Sequence, residues 1–166
     1  MTCAILWGEV VFCGESWVMF QGETAITLDD KGRVAIPAAY RDLVASACAN
    51  RLVVAYNPFE NGCLWIYPQG EWEQVRDRVN ALSSTKATHR SMQMRLVGAA
   101  AHVELDGNGR ILLPARQREV TGLEKRAVLL GMGNKFELWN EQIQLARIRE
   151  PITEDQVTEE MAELVL

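Results

Sequence analysis

Histidine and paired cysteine are what this sequence has least of. Its two histidines, His89 and His102, stand far from the four cysteines Cys3, Cys13, Cys48 and Cys63, and no two cysteines have Cys-x-x-Cys spacing. That is not the pattern of a zinc site, so no metal is expected. Cys48 and Cys63 sit among apolar residues, as reduced, buried thiols do. There is no phosphate-cradling Gly-x-x-x-x-Gly-Lys and no Ser or Cys nucleophile with a recognisable His partner. Acid-base chemistry would fall to carboxylates alone, which argues against an enzyme, a cofactor or a small-molecule substrate. No apolar run reaches the roughly 18 residues that span a bilayer. The start of the chain carries Glu9 and Glu15 where a signal peptide is basic. The expectation is a chain that is neither exported nor membrane-spanning.

What the sequence does have is a repeat. Leu28-Asp29-Asp30-Lys31-Gly32-Arg33-Val34-Ala35-Ile36-Pro37 returns as Leu105-Asp106-Gly107-Asn108-Gly109-Arg110-Ile111-Leu112-Leu113-Pro114. The register is constant, since 106 minus 29, 110 minus 33 and 114 minus 37 are each 77. A period this long marks a duplicated domain, because solenoid units run roughly 20 to 50 residues. In each copy a partly alternating apolar run reads as a strand, Ala25 to Leu28 and His102 to Leu105. Gly32 and Gly109 then supply the positive φ of a tight reversal. A second short strand follows, and Pro37 and Pro114 are expected in the first turn of a helix, where a missing N–H costs nothing. Each repeat opens as strand, turn, strand, helix.

Asp29 and Arg33, and likewise Asp106 and Arg110, bracket the turns with opposite charges. Two readings stay open. Each pair is an exposed ion pair that pins a hairpin and adds little stability, or each Asp orients a guanidinium fork toward phosphates or base edges.

Charge is distributed unevenly. Glu9, Glu15, Glu154, Asp155, Glu159, Glu160 and Glu163 lie in the two end segments, and leaving out those seven carboxylates takes the net charge from −5 to +2 over residues 19 to 150. Residues 85 to 150 hold 11 basic against 7 acidic side chains, whereas residues 19 to 84 hold 6 against 8. The second half is therefore the more basic.

After the first helix, from Ala38 to Ala47, the runs Arg51 to Tyr56 and Cys63 to Tyr67 read as a hairpin around Asn57-Pro58 and Asn61-Gly62. Its later copy is Ala127 to Leu130, a turn at Gly131 to Asn134, and Lys135 to Trp139, where the offset has fallen to 72 (139 minus 67). Between the copies, Glu71 to Leu82 carries Trp72, Val75, Val79 and Leu82 on one helical face. A second helix over about Thr88 to Ala99 directs Met92 and Leu96 inward and Arg90 and Arg95 outward. In the acidic tail, Thr153-x-x-Gln156 is a capping-box pattern ahead of Val157, Met161 and Leu164. Each half is too small to bury a generous core alone, so an oligomer is expected.

The doubled Asp-x-x-x-Arg motif, the start Met19-Phe20-x-Gly22 and the run Asn134-Lys135-Phe136-Glu137-Leu138-Trp139 resemble the MraZ family. The resemblance covers about residues 19 to 150. Gln21 departs from it, standing where members carry a basic residue. The resemblance implies a mainly β fold with short helices (α+β): two tandem AbrB-like (SpoVT-AbrB) swapped-hairpin domains, a pseudo-two-fold unit with a helical bridge. The expected division is a first domain at 19–70, the bridge at 71–100, a second domain at 101–145 and an acidic tail or short helix at 146–166. Residues 1–18 match nothing in the second repeat and are expected to be a non-native or disordered extension, with natural translation starting at Met19.

By the same resemblance the chain is a cytoplasmic, nucleoid-associated DNA-binding regulator of transcription. It would form a ring-like homo-oligomer on direct repeats in double-stranded DNA upstream of the division and cell-wall gene cluster. The site residues expected to meet DNA are Lys31, Arg33, Arg110 and Asn108, with Asp29 and Asp106 orienting them and Gly32 and Gly109 shaping the turns. Arg41 and Arg118, matched at offset 77 on the helices, are weaker candidates, because an Arg there could cover a neighbouring subunit. The alternative function is an AbrB-like protein-interaction or antitoxin-type assembly module.

Overall fold

The computed structural model of the chain describes residues 9–12 and 15–164. The elements in chain order are β1 (Glu9–Phe12), β2 (Glu15–Val18), β3 (Phe20–Thr27), β4 (Arg33–Ala35), α1 (Ala38–Cys48), β5 (Arg51–Tyr56), β6 (Cys63–Pro68), α2 (Gln69–Asn80), α3 (Ala87–Gln93), β7 (Ala101–Glu104), β8 (Arg110–Leu112), α4 (Ala115–Thr121), β9 (Arg126–Gly133), β10 (Phe136–Asn140), α5 (Glu141–Arg149) and α6 (Glu159–Ala162). β1 and β2 form a small antiparallel hairpin ahead of the repeats.

The two repeats are interlaced. Six antiparallel strands make one sheet in the order β3-β9-β10-β6-β5-β7, with β4 and β8 paired as a separate ladder. The first strand of each repeat therefore lies on the other repeat's hairpin: β3 on β9 over eight residues, β7 on β5 over four. Matching backbone bonds close the exchange on both sides. Leu28 N donates to Lys125 O at 2.9 Å and Leu105 N to Asn50 O at 3.0 Å; Ile36 N donates to Gly109 O at 2.9 Å and Leu113 N to Gly32 O at 3.0 Å. This is the swapped-hairpin, pseudo-two-fold unit within a single chain.

Alternation puts Val34 and Ile111 of the short ladder inward, where they meet Leu52, Leu64, Ile66, Leu129, Phe136 and Leu138 of the sheet in one core drawn from both repeats. Phe20 is buried there, 3.9 Å from the Phe136 ring and edge-on to Tyr40. A Cβ on Gly131 would collide with the backbone of Phe20 and Gln21, so only glycine lets β3 lie this close to β9. That contact also corrects the expected turn at residues 131–134. β9 continues to Gly133 because β3 offers it partners, and the turn is reduced to Asn134 and Lys135.

The opposite face of the sheet is covered by α2, by α3 and by the wider π-helical turn Met94–Gly98 that extends α3. Trp72 packs on Val53 and Tyr67 and donates from Nε1 to Leu96 O at 3.1 Å. The prolines of the two repeats are one place earlier than expected: Pro37 and Pro114 are the extended cap residues before α1 and α4. Arg95, expected outward, donates to the carbonyls of Asn57 and Pro58, both at 3.4 Å, because the π-helical turn rotates it toward the β5–β6 loop. In the tail the capping box at Thr153 and Gln156 is present but closes a single 3-10 turn, and α6 starts afresh on Thr158. No helix among the described residues is long and apolar enough to cross a membrane.

Candidate nucleic-acid interface

Each repeated turn is built around its aspartate. Asp29 Oδ1 accepts from the amides of Lys31 (3.0 Å) and Arg33 (2.9 Å), and Oδ2 accepts from Arg33 Nε at 2.6 Å. Asp106 repeats this with the amides of Asn108 (2.8 Å) and Arg110 (3.0 Å) and with Arg110 Nε at 3.0 Å. Gly32 and Gly109, at φ 82° and 70°, bring the amides round to the carboxylate. The Arg33 amide is the main reason the Asp29 carboxyl is drawn down to about 2; the guanidinium and the Lys31 amide add to it, and partial desolvation opposes them. Asp106 is held below the usual carboxylate range for the corresponding reason, the Arg110 amide first. Both aspartates are thus acceptor-only groups at neutral pH, consumed by the turn.

The ladder brings the two turns together. Arg33 pairs with Leu112 and Ala35 with Arg110, so all four side chains project from the face opposite buried Val34 and Ile111. Arg33 and Arg110 stand diagonally across this ribbon, each 31% exposed, and Arg110 Nη1 comes within 3.9 Å of Asp29 Oδ2. Each donates through Nε to the aspartate of its own turn, Arg33 at 2.6 Å and Arg110 at 3.0 Å, and Arg110 Nη2 also lies 3.0 Å from Asp106 Oδ2.

Arg41 and Arg118 turn out to serve the opposite repeat of their own chain. A Cβ on Gly109 would collide with the Arg41 guanidinium, and one on Gly32 with that of Arg118. Arg41 Nε donates to Ile36 O at 2.8 Å; Arg118 Nε is buried without an acceptor among the described residues. Their charges therefore lie against the turns. Lys31, Arg33, Arg41, Arg110 and Arg118 set five cations against Asp29, Asp30 and Asp106, a local surplus of two on a chain of net charge −5.

Lys31 and Asn108 occupy the exposed tips of the turns, their amides held and their side chains outward. Sequence reading missed Leu112, an apolar side chain 56% exposed between the two arginines. The signal was available: in a strand whose middle residue is buried, both flanking residues face out.

Among the described residues no group of three His, Cys, Asp or Glu side chains could hold a metal. Cys63 is buried, and burial pushes its thiol up, which makes it a packing group and not a nucleophile.

The family described as "MraZ protein, putative antitoxin-like" matches residues 19–95 and again 96–162. The chain is similar to proteins named "Transcriptional regulator MraZ". One from Stenotrophomonas maltophilia (strain R551-3) is 58% identical over 148 residues, 89% of this chain and 100% of the relative. Those from Xanthomonas campestris pv. campestris (strain 8004) and Saccharophagus degradans are 55% and 44% identical over the same shares. Two matches that divide the chain at the same duplication as the paired turns, and relatives covered end to end, place this chain in the MraZ family of transcriptional regulators.

Proposed function

We propose that the chain binds double-stranded DNA in a sequence-specific way through the β4–β8 ribbon and its two turns. The observation that carries this reading is the paired arrangement of Arg33 and Arg110, each gripped by an aspartate of its own turn and both on one outward face. A two-stranded ribbon fits the major groove, an oriented Arg reads guanine O6 and N7, and an apolar neighbour such as Leu112 suits a thymine methyl. Lys31, Asn108, Arg41 and Arg118 would meet phosphates, which position the ribbon without reading sequence. Asp29 and Asp106 orient and do not touch, since a carboxylate facing phosphate is repelled.

A local surplus of two positive charges is a weak electrostatic hold on DNA. Useful affinity then calls for several copies acting together, each raising the effective concentration of the next. This supports a ring-like homo-oligomer on direct repeats, upstream of the division and cell-wall gene cluster, working in the cytoplasm at the nucleoid. The 19–70 and 101–145 segments act as two domains of one binding unit, with residues 71–100 bridging them.

A footprint of the protein on DNA upstream of its own gene tests the reading. Evenly spaced protected repeats are the expected result, with affinity falling steeply as salt rises. No protection at any salt would overturn it. The family description, antitoxin-like, favours a second reading: a protein-interaction module. Partner binding through apolar contacts would be nearly indifferent to salt.

A further inference from the structure

We propose that a cleft beside the end of β5 receives the acidic C-terminal segment of a second copy of this chain. The inference deepens the multimer reading above and rests on it. The cleft exists because the repeats are unequal. β3 runs the full length of β9, from Phe20 opposite Gly133 to Thr27 opposite Arg126, whereas β7 covers only Arg51 to Val54 of β5. Extending the β7 register would set Ala99 opposite Tyr56, but the chain ahead of Ala101 is wound into the π-helical turn. Tyr56 and Ala99 instead border an opening of about 420 Å³, walled further by Cys63, Val120, Arg95 and Arg116.

The other repeat indicates what such a space takes. There the end of the longer strand fills it, with Phe20 fully buried against Phe136 and Tyr40. Charge narrows the choice. The carboxylate at the cleft, Glu60, is already held by Arg147 at 2.7 Å. Arg95 has no carboxylate partner among the described residues, and Arg116 pairs only with Glu119, one turn along the same exposed helix, at 3.2 Å. The cleft is an apolar floor under a cationic rim.

One segment of the chain is its complement. Residues 151–164 carry Glu154, Asp155, Glu159, Glu160 and Glu163 and no Lys, Arg or His. The segment is shaped by its own caps at Thr153 and Thr158, yet Ile152, Val157 and Leu164 stay 66%, 47% and 61% exposed. A capped segment with its apolar side chains outward needs a surface to cover them. Among the described residues none beyond 150 lines the cleft of its own chain, and the proposed occupant is the tail of another copy. Donor and receptor are different surfaces, and a contact of that kind links copies head to tail, closing a ring when the rotation allows.

The test uses full-length protein and light scattering at matched concentrations. Removing residues 151–166, or combining Arg95→Glu with Arg116→Glu, is expected to raise the dissociation concentration of the multimer at least tenfold while leaving the monomer's circular dichroism unchanged. Mixing those two chains leaves one intact junction per pair and should give species near twice 18.6 kDa and no larger. Adding Glu159→Arg and Glu160→Arg to the cleft-reversed chain should restore the multimer. Arg116→Glu alone leaves the Arg95 bonds to the loop in place and keeps the test readable should the double variant misfold. A tail-less chain of undiminished multimer mass, or charge reversal on both sides that fails to restore assembly, would overturn the docking proposal. A full-length chain that is monomeric throughout would instead overturn the multimer reading itself.

Discussion

Replacing Arg33 by Ala separates geometry from recognition. Among the described residues Arg33 makes one side-chain hydrogen bond, Nε to Asp29 at 2.6 Å, in a pair about one-third exposed. Pairs of that exposure contribute little to stability. The turn keeps its other ties, since Asp29 still accepts the amides of residues 31 and 33, and Gly32 N still donates to Asp29 O at 2.9 Å. The melting temperature should therefore move by no more than a few degrees, and assembly should be unchanged. Operator binding should fall by about 1 to 3 kcal/mol per copy if the guanidinium reads a base, which is about 5- to 150-fold. Several copies bound together would compound that loss. A phosphate contact would instead give a smaller loss, equal for operator and random DNA, with a shallower salt slope. The assay pairs melting and light scattering with titration of operator and random DNA at two salt concentrations. Normal melting, normal assembly and unchanged operator affinity would remove Arg33 from the interface. Arg110→Ala, run in parallel, should cost a similar amount, because each guanidinium donates through Nε to the aspartate of its own turn.

Other outcomes follow from the same geometry. Gly32→Ala and Gly109→Ala each force a side chain into left-handed backbone at about 1 to 2 kcal/mol and displace Arg118 or Arg41; thermal melting should fall, and adding Arg118→Ala should recover only part of the Gly32→Ala loss. Phe20→Ala removes a buried ring from the joint between β3 and β9 and should lower stability by about 3 to 5 kcal/mol in a denaturant titration; a loss under about 1 kcal/mol would mean the swapped strand is not part of the core. Asp29, drawn below its unfolded value of 3.8 to about 2, stabilises the fold above the unfolded value, and that contribution disappears as pH falls from about 4 through 2. Melting curves across that range should drop more steeply for the natural chain than for Asp29→Asn, and parallel curves would refute the assignment.

How much of this was legible beforehand divides along local and non-local lines. The turns were, because an Asp and a Gly at fixed spacing dictate their own hydrogen bonds: every amide that Asp29 and Asp106 accept lies within four residues. The length of β3 was not, since Phe20 to Glu23 become a strand only against β9, more than a hundred residues away. The extent of β9 to Gly133 was hidden for the same reason, and Gly131 read as a turn residue when it is a site of close backbone approach. Arg41 and Arg118 were visible as a matched pair, but the glycines they cover lie on the opposite copy of the motif. Arg95 was assigned by regular helical periodicity, which fails where the helix widens.

The exchange of first strands also dictates an order of events during synthesis. Phe20 meets its partner Gly133 only after 113 further residues (133 minus 20) have been made, whereas β5 can close on β6 as soon as residue 68 is free of the ribosome. At about 5 to 20 residues per second that delay is on the order of 10 s. Throughout it, a strand bearing Phe20 and Ile26 waits with one edge and one apolar face uncovered. Two ribosomes on one message hold such strands near each other's emerging β9, so neighbouring nascent chains can trade them.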